Sequence, residues 1–231
     1  MDRRRTRARS GVSLLLTGTD TGVGKTFVAV ELLRLLREAG IRAVGMKPIC
    51  CGDRADVRRL LAAGAEDITI EDLNPIWLPS PVAPSVAAQI EHIEIDIEKI
   101  QHRFTILSQR FEIVLVEGVG GWLVPIAPKF FVSDLAKRLN LPVAIVTENR
   151  LGCLNHVLLT CESIRNRGVS CAGIILNRAD AAGDLAQTTN EGELRRLLPD
   201  TILIPIAENG VQTPAKWAQL LPRIRPTTLC S

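Results

Sequence analysis

Short runs of apolar residues recur along the chain, rich in Leu, Ile and Val and with little polar alternation. Strands that are buried on both faces of a parallel sheet have this composition. The sequence therefore predicts strands over residues 12–17, 42–47, 112–118, 142–148, 171–177 and 201–206.

Between these runs, apolar residues recur at steps of three and four, which is the pattern of a helix that packs one face against a sheet. The pattern predicts helices over residues 25–40, 55–64, 155–168 and 184–198. Strands that alternate with helices form a doubly wound, mostly parallel α/β sheet with right-handed crossovers. Such sheets bind their ligands at the carboxyl ends of the strands.

Two segments depart from this alternation. Residues 68–84 are rich in proline and less regular, and we expect a surface excursion there, not a domain boundary. Residues 1–10 contain five arginines and one acidic residue, which predicts a disordered basic tail. The expected organisation is this tail followed by a single domain over residues 11–231.

Composition narrows the class of protein. The chain is 46% hydrophobic but only 3% aromatic and has no tyrosine, so its core is expected to consist mainly of Leu, Ile, Val and Ala. The net charge is +3, and no basic stripe with interleaved aromatic residues accompanies the tail, so we expect no nucleic-acid partner. No segment is long and apolar enough to cross a bilayer, which predicts no membrane contact and a cytoplasmic protein.

The six cysteines form no C-x-x-C pair, and the three histidines lack metal-ligand spacing with them. We expect free thiols, without structural zinc or a disulfide.

The segment LLLTGTDTGVGKT, residues 14–26, has the most specific chemical pattern in the chain. A predicted strand ends in a turn of glycine and threonine, and a predicted helix begins at Lys25. Backbone N–H groups of such a turn and the positive end of the helix dipole bind phosphates. Lys25 would reach the β- and γ-phosphates and the Thr26 hydroxyl would bind Mg²⁺, which predicts a P-loop NTPase. Thr19 replaces the glycine usually found five positions before Gly24.

Two charged residues lie at the ends of predicted strands, and two acidic residues lie near the start of the predicted helix 55–64. Lys47 ends the second predicted strand, where a dinucleotide-binding fold would have an acidic residue. Its side chain either extends along the surface to reach water or is a cation directed at an anion beside the γ-phosphate. Glu117 ends the third strand and precedes a glycine run, a position typical of the carboxylate beside Mg²⁺. Asp56 is a second candidate for Mg²⁺ or a helix cap, and Asp53 competes with it for either role.

Five segments resemble the dethiobiotin synthetase family in order and spacing: TGTDTGVGKT, KPICCG, VLVEGVGGWLVPI, RLGCLNH and GIILNR. The first is shared with related ATPases, whereas the combination is specific. The resemblance covers nearly the whole chain after the tail. It implies an ATP-dependent cyclo-ligase of biotin biosynthesis that converts 7,8-diaminononanoate, CO₂ and ATP into dethiobiotin, ADP and phosphate through a carbamic-phosphoric anhydride.

The resemblance also implies roles for individual residues. The catalytic residues would be Lys47, Lys25 and Thr21, and the Mg²⁺ ligands Thr26, Asp56 and Glu117. The residues in contact with ATP would be Gly22, Val23, Gly24, Lys25, Thr26, Phe27, Asp56, Glu117, Gly118, Val119, Gly120, Asn177, Arg178, Pro205, Ile206 and Ala207, with Asn177 at the adenine edge. In the homodimer that the family implies, the diamine would contact Cys51 and a loop that reaches it from the other subunit, with Leu151, Gly152, Cys153 and Asn155.

The chain departs from the family at two positions: Cys51 stands where serine is usual, and Arg150 where lysine is common. Two other classes share the loop and the fold. Cobyrinate and cobyrate amidotransferases carry an added glutaminase domain, for which this chain is expected to end too early. Partitioning and positioning ATPases typically have an additional lysine early in the loop, and residues 18–23 contain none.

Overall fold

The structure, a computed structural model, describes residues 13–64, 67–178 and 184–207, together with Trp217 and Leu220. Strands and helices alternate along these residues. The strands are β1 (Leu14–Gly18), β2 (Ala43–Met46), β3 (Ile49–Cys51), β4 (Ile76–Leu78), β5 (Ile113–Gly121), β6 (Pro125–Ala127), β7 (Phe130–Phe131), β8 (Val143–Glu148), β9 (Cys171–Asn177) and β10 (Leu203–Ile206). The helices are α1 (Lys25–Glu38), α2 (Ala55–Ala63), α3 (Ile70–Leu73), α4 (Pro84–Glu91), α5 (Ile97–Arg110), α6 (Val132–Arg138), α7 (Cys153–Asn166) and α8 (Leu185–Leu197).

Six strands form a central parallel sheet in the order β10-β9-β8-β1-β5-β2. The chain builds β2 and β5 on one side of β1 and then β8, β9 and β10 on the other side. The predicted doubly wound α/β fold is confirmed. The strand order reverses at β1, and this is the place where such sheets open a crevice for ligands.

The middle of the sheet is completely buried. Every residue of β1 is buried, as are the first six residues of β5. Because successive side chains of a strand point to opposite faces, this burial means that both faces of the sheet are covered. Because both faces are buried, the strand sequences do not alternate between polar and apolar residues.

The observed strands and helices follow the predicted ones with small shifts. β9 has the predicted bounds, whereas β5 continues to Gly121, which pairs with Gly18 of β1. α7 begins at Cys153, directly after Gly152 in a left-handed conformation. β5 thus carries its glycine run alongside the end of β1.

The prediction of a surface excursion over residues 68–84 was wrong. Residues in this segment form α3 and β4, and β4 pairs in parallel with β3. Leu73 and Leu78 are fully buried. The prolines interrupt regular structure, but the apolar residues between them join the core, as burial of large aliphatic side chains favours.

The predicted tail, residues 1–10, lies outside the described residues, as does most of the chain after residue 207. The single-domain organisation therefore stays a prediction. No helix among the described residues is long and apolar enough to span a membrane.

Candidate active site

The phosphate-binding loop connects β1 to α1 at the carboxyl edge of the sheet. Gly22 and Gly24 have φ angles of 79° and 93°, in the left-handed region that favours glycine. The buried Lys25 side chain turns back along the loop, where its Nζ donates to the carbonyl oxygen of Asp20 at 3.0 Å. This is the geometry expected of a loop that directs a lysine and several N–H groups toward phosphates.

Gly18 lets other atoms of the loop come close to its backbone, which a residue with a side chain, such as Thr19, would not allow. A Cβ atom at position 18 would lie 2.4 Å from the carbonyl oxygen of Asp20 and 2.9 Å from Nζ of Lys25. Thr19 instead fixes the base of the loop, because its hydroxyl donates to that of Thr147 at 3.0 Å. The glycine that the loop requires is therefore shifted by one residue toward β1.

Four side chains from three elements and one loop meet beside this loop. Lys47 follows β2, and its Nζ lies 2.5 Å from Oε1 of Glu117 on β5 and 2.9 Å from Oδ2 of Asp56 on α2. The hydroxyl of Thr26, in the first turn of α1, donates to the same Oε1 at 2.8 Å. The snorkelling alternative for Lys47 is wrong, because the residue is only 5% exposed and binds two carboxylates.

Asp53 and Asp56, the two candidates for the same roles, have different contacts in the structure. Oδ1 of Asp53 accepts a hydrogen bond from the N–H of Ala55 at 2.7 Å, at the start of α2. Asp56, in the first turn of α2, pairs with Lys47. Asp53 therefore stabilises the helix start, and Asp56 faces the site.

Burial and charge set the protonation states of this cluster. Burial by itself lowers the pKa of Lys47, but the charges of Glu117 and Asp56 outweigh it and raise the pKa above its ordinary value. Burial, followed by the positive charge of Lys47, lowers the pKa of Lys25 to about 8. Burial tends to raise the pKa of Asp56, but the nearby Lys47 lowers it below its ordinary value. The raised pKa of Lys47 and the lowered pKa of Asp56 keep this ion pair charged at neutral pH.

The donor set fits Mg²⁺ shared with a nucleotide. Among the described residues, no group of three or more His, Cys, Asp or Glu side chains could hold a metal alone. Mg²⁺ in nucleotide sites needs only one or two carboxylates, because phosphate oxygens and water complete its shell. Oε2 of Glu117 is buried and has no hydrogen-bond partner in the part of the chain that the structure describes, so one carboxylate oxygen is available for a cation.

The backbone of Lys47 is held from both sides by a segment that the sequence did not single out. The N–H of Lys47 donates to the carbonyl oxygen of Leu73 at 2.9 Å. The carbonyl oxygen of Lys47 accepts a hydrogen bond of 2.8 Å from Nδ2 of the buried Asn74, which also donates to the carbonyl oxygen of Ile76. A lone asparagine in a proline-rich segment gives no sequence signal for this role.

Comparison with known proteins agrees with this geometry. Residues 12–207 match a family described as an AAA domain, AAA_26. The ATP-dependent dethiobiotin synthetase BioD of Akkermansia muciniphila is 44% identical over 191 residues, which cover 83% of this chain and 90% of that protein. The BioD of Aromatoleum aromaticum is 44% identical over 214 residues, which cover 89% of this chain and 95% of that protein. The chain belongs to the dethiobiotin synthetase family.

The fold of this dethiobiotin synthetase family member is similar to that of solved structures from other families. The septum site-determining protein MinD from Pyrococcus horikoshii, complexed with Mg-ADP, aligns with a TM-score of 0.54 at 16% identity, covering 95% of this chain and 88% of that one. The hydrogenase maturation factor HypB from Archaeoglobus fulgidus aligns with a TM-score of 0.53 at 17% identity, covering 87% and 83%. At this identity the likeness shows the P-loop NTPase fold alone.

The other residues predicted to contact ATP near the phosphate loop differ in how far they are exposed to solvent. Thr21 is exposed, and its Oγ1 would lie 3.3 Å from a Cβ atom at Gly120, so the loop and the glycine run of β5 are in close contact. Phe27 is partly exposed, whereas Val23 is buried. Gly118 and Val119 follow Glu117 in β5, which places their backbone at the same edge.

Cys51 ends β3, close in sequence to Lys47, and is half-buried. Burial raises the pKa of the Cys51 thiol to about 11. It is therefore a neutral thiol at pH 7 and a weak hydrogen-bonding group.

The segment before α7 is split between the surface and the core. Leu151 is 79% exposed, and Gly152 and Asn155 are exposed as well. Cys153 is buried in the core, and its backbone N–H donates to the carbonyl oxygen of Arg150 at 3.1 Å. Arg150 lies 3.9 Å from both Asp20 and Glu148.

The residues predicted to contact adenine lie at the ends of β9 and β10. Asn177 is buried, and its Nδ2 donates to the carbonyl oxygen of Val23 at 3.0 Å. Arg178 has a φ of 56° and donates to Glu148 at 2.6 Å. Ile206 pairs with Asn177 in the sheet and buries its side chain, whereas Pro205 and Ala207 are half-buried.

Proposed function

We propose that this protein is an ATP-dependent dethiobiotin synthetase that converts 7,8-diaminononanoate, CO₂ and ATP into dethiobiotin, ADP and phosphate. One observation carries the proposal besides the family membership. A second lysine, Lys47, is buried beside the phosphate loop and is joined to Thr26 through Glu117. A reaction between two anions requires a second cation, and Lys47 supplies it from the end of β2, outside the loop in which partitioning ATPases typically carry their additional lysine.

The first steps bring carbamate and triphosphate together. One amine of the diamine attacks CO₂, a C–N bond forms and the nitrogen loses a proton to give a carbamate. A carbamate oxygen then attacks the γ-phosphorus of ATP, the bond to the bridging oxygen breaks and ADP leaves. In this step Lys25 neutralises the transferred phosphoryl group and Lys47 the carbamate, so that the two anions approach each other.

Ring closure completes the reaction. The second amine attacks the carbonyl carbon of the carbamic-phosphoric anhydride, a C–N bond forms, the C–O bond breaks and phosphate leaves. The amine proton is lost and the ureido ring closes. No covalent enzyme intermediate is needed, so the side chains act by positioning and by neutralising charge.

Thr26, Asp56 and Glu117 would hold Mg²⁺, which neutralises charge on the β- and γ-phosphates when bound. The free Oε2 of Glu117 supports this assignment. Thr21, next to the glycine run of β5, would face the reacting groups. Asn177 and Arg178, with residues 205–207, would border the adenine.

We also propose that the protein works as a homodimer. The apolar side chain of Leu151 is 79% exposed beside Gly152, at the start of α7. In a dimer, this loop would contact the apolar chain and carboxylate of a diamine bound to the partner subunit. Asn155, exposed on the first turn of α7, would contribute a polar contact.

Product analysis tests the reaction directly. The protein is incubated with diaminononanoate, labelled bicarbonate, Mg²⁺ and ATP, and label should appear in dethiobiotin with one ADP formed per ring. ATP hydrolysis should depend on both the diamine and bicarbonate. ATP hydrolysis at the full rate without diamine would contradict the proposal.

A pair of variants separates the role of Lys47 from nucleotide binding. Lys47→Gln should lower dethiobiotin formation by at least about a hundredfold while ATP still binds, because electrostatic groups in active sites commonly contribute that much. Lys137→Gln, at an exposed position near the end of α6, is the matched control and should keep full activity. Equal loss of ATP binding in Lys47→Gln would place this lysine in the nucleotide site instead.

A further inference from the structure

The outer side of the phosphate loop has a buried polar contact from a distant strand. Nδ2 of Asn177, the last residue of β9, donates to the carbonyl oxygen of Val23 at 3.0 Å. In the sheet β9 is separated from β1 by β8, so this contact joins the loop to a strand that is not adjacent to it. A buried carbonyl without a partner is costly, so the loop depends on this amide.

The contact lies where the loop becomes α1. Gly24 is the N-cap of α1, and a Cβ atom at this position would lie 2.1 Å from Nδ2 of Asn177. The amide therefore occupies the space that a side chain of residue 24 would need. Lys25 and Thr26 follow directly, so any shift of the loop here moves both groups.

Asn177 is itself held in place. It is only 6% exposed, and its carbonyl oxygen accepts a hydrogen bond of 2.8 Å from the N–H of Asn149. Asn149 is also buried, and its side chain binds the carbonyl oxygen of Gln187 and Nδ2 of Asn190. The backbone from which the Asn177 amide projects is therefore held in place, so the amide can position another group in turn.

We propose that Asn177 is a positioning residue for the phosphate loop. Its amide keeps the Val23 carbonyl directed outward, so that the N–H groups of the loop stay directed toward the phosphates. One N–H of the amide does this, and the other N–H and the oxygen remain for a base. The inference rests on the proposed nucleotide site and adds to it a role that does not depend on the base.

Inorganic tripolyphosphate separates this role from base recognition, because it has phosphates and no base. Its dissociation constant, and those of ATP and GTP, are measured by calorimetry with Mg²⁺ for the wild type, Asn177→Ala and Asn177→Leu. We expect tripolyphosphate to bind about five- to tenfold more weakly to both variants, the size of one buried hydrogen bond, and ATP and GTP to lose at least as much. Asn166→Ala, an exposed position on α7, is the matched control and should not change any of the three constants.

Unchanged tripolyphosphate affinity, with loss of only the preference for ATP over GTP, would overturn the proposal and leave Asn177 as a residue that contacts the base. Thermal unfolding of each variant shows whether the substitution lowers the stability of the whole protein. If Asn177→Leu folds poorly, Asn177→Ser retains a small polar side chain and should show the same loss of affinity for tripolyphosphate. A purely structural role would lower the melting temperature without changing the affinity of the folded protein.

The result of the tripolyphosphate experiment does not depend on whether the protein forms dethiobiotin. Tripolyphosphate binding requires no diamine, so the test stands even if no dethiobiotin is formed. In an active enzyme, the same variants should raise KM for ATP, because the loop then binds the phosphates less tightly.

Discussion

Removing only the lysine from the ion pair between Lys47 and Glu117 should cost stability as well as catalysis. Lys47→Met keeps most of the volume of the lysine side chain but removes its charge. Oε1 of Glu117 would then keep only the hydroxyl of Thr26, and Oε2 has no hydrogen-bond partner already. We expect Lys47→Met to lower the free energy of unfolding substantially.

The magnitude follows from burial. Glu117 is 1% exposed and Lys47 is 5% exposed, so the cost of removing one partner of a buried pair applies, about 3–5 kcal/mol. The side chain of Asp56 is 40% exposed, and solvent screening limits its lost contact to about 1 kcal/mol or less. The sum is a large share of the roughly 5–15 kcal/mol that stabilises a typical domain.

The assay is urea denaturation with a chelator and without nucleotide, followed by tryptophan fluorescence and circular dichroism. Glu117→Gln and the double variant Lys47→Met/Glu117→Gln complete a double-mutant cycle. The double variant contains no unpaired buried carboxylate, so its loss should be about 1–2 kcal/mol, smaller than that of Lys47→Met alone.

Two results would refute this reasoning. A loss of less than about 1 kcal/mol for Lys47→Met would mean that the pair is not buried and intact in solution. A double variant no more stable than Lys47→Met would mean that the unpaired carboxylate is not the source of the cost.

Four further predictions concern the same edge of the sheet. Affinity for ATP should fall as pH rises above about 8, because burial lowers the pKa of Lys25 to about 8 and only the ammonium form attracts phosphate. In a binding titration, Lys25→Arg should make the affinity less dependent on pH. Cys51→Ser should leave KM for the diamine unchanged or lower it, and a large increase would show that the thiol has its own role. Gly18→Ala should weaken ATP binding by about tenfold or more, since its Cβ would lie 2.4 Å from the carbonyl oxygen of Asp20, and calorimetry measures this. Asn74→Ala should lower the free energy of unfolding in urea by about 1–3 kcal/mol, because two backbone carbonyls lose their donor.

Asn74 and Asn177 illustrate why parts of the site escape sequence reasoning. Asn177 was predicted to lie at the adenine edge from a resemblance, but its contact with Val23 spans 154 positions of the chain. Asn74 binds the carbonyl oxygen of Lys47 across a segment that was expected to lie on the surface. Single polar residues have no periodicity, so nothing in the local pattern distinguishes a buried anchor from a solvated side chain.

The sequence by itself determined the parallel α/β class, the phosphate loop with Lys25 and Thr26, and the family. These rest on local signals, since apolar runs predict buried strands and a strand, a glycine turn and a helix in succession form a phosphate site. Only the tertiary structure decided that Asp56 faces the site while Asp53 binds the start of α2, and that Lys47 lies between two carboxylates. These relations depend on which strands are neighbours: β2 lies beside β5 although the whole of α2 to α5 separates them along the chain, and only the packed sheet brings their ends together.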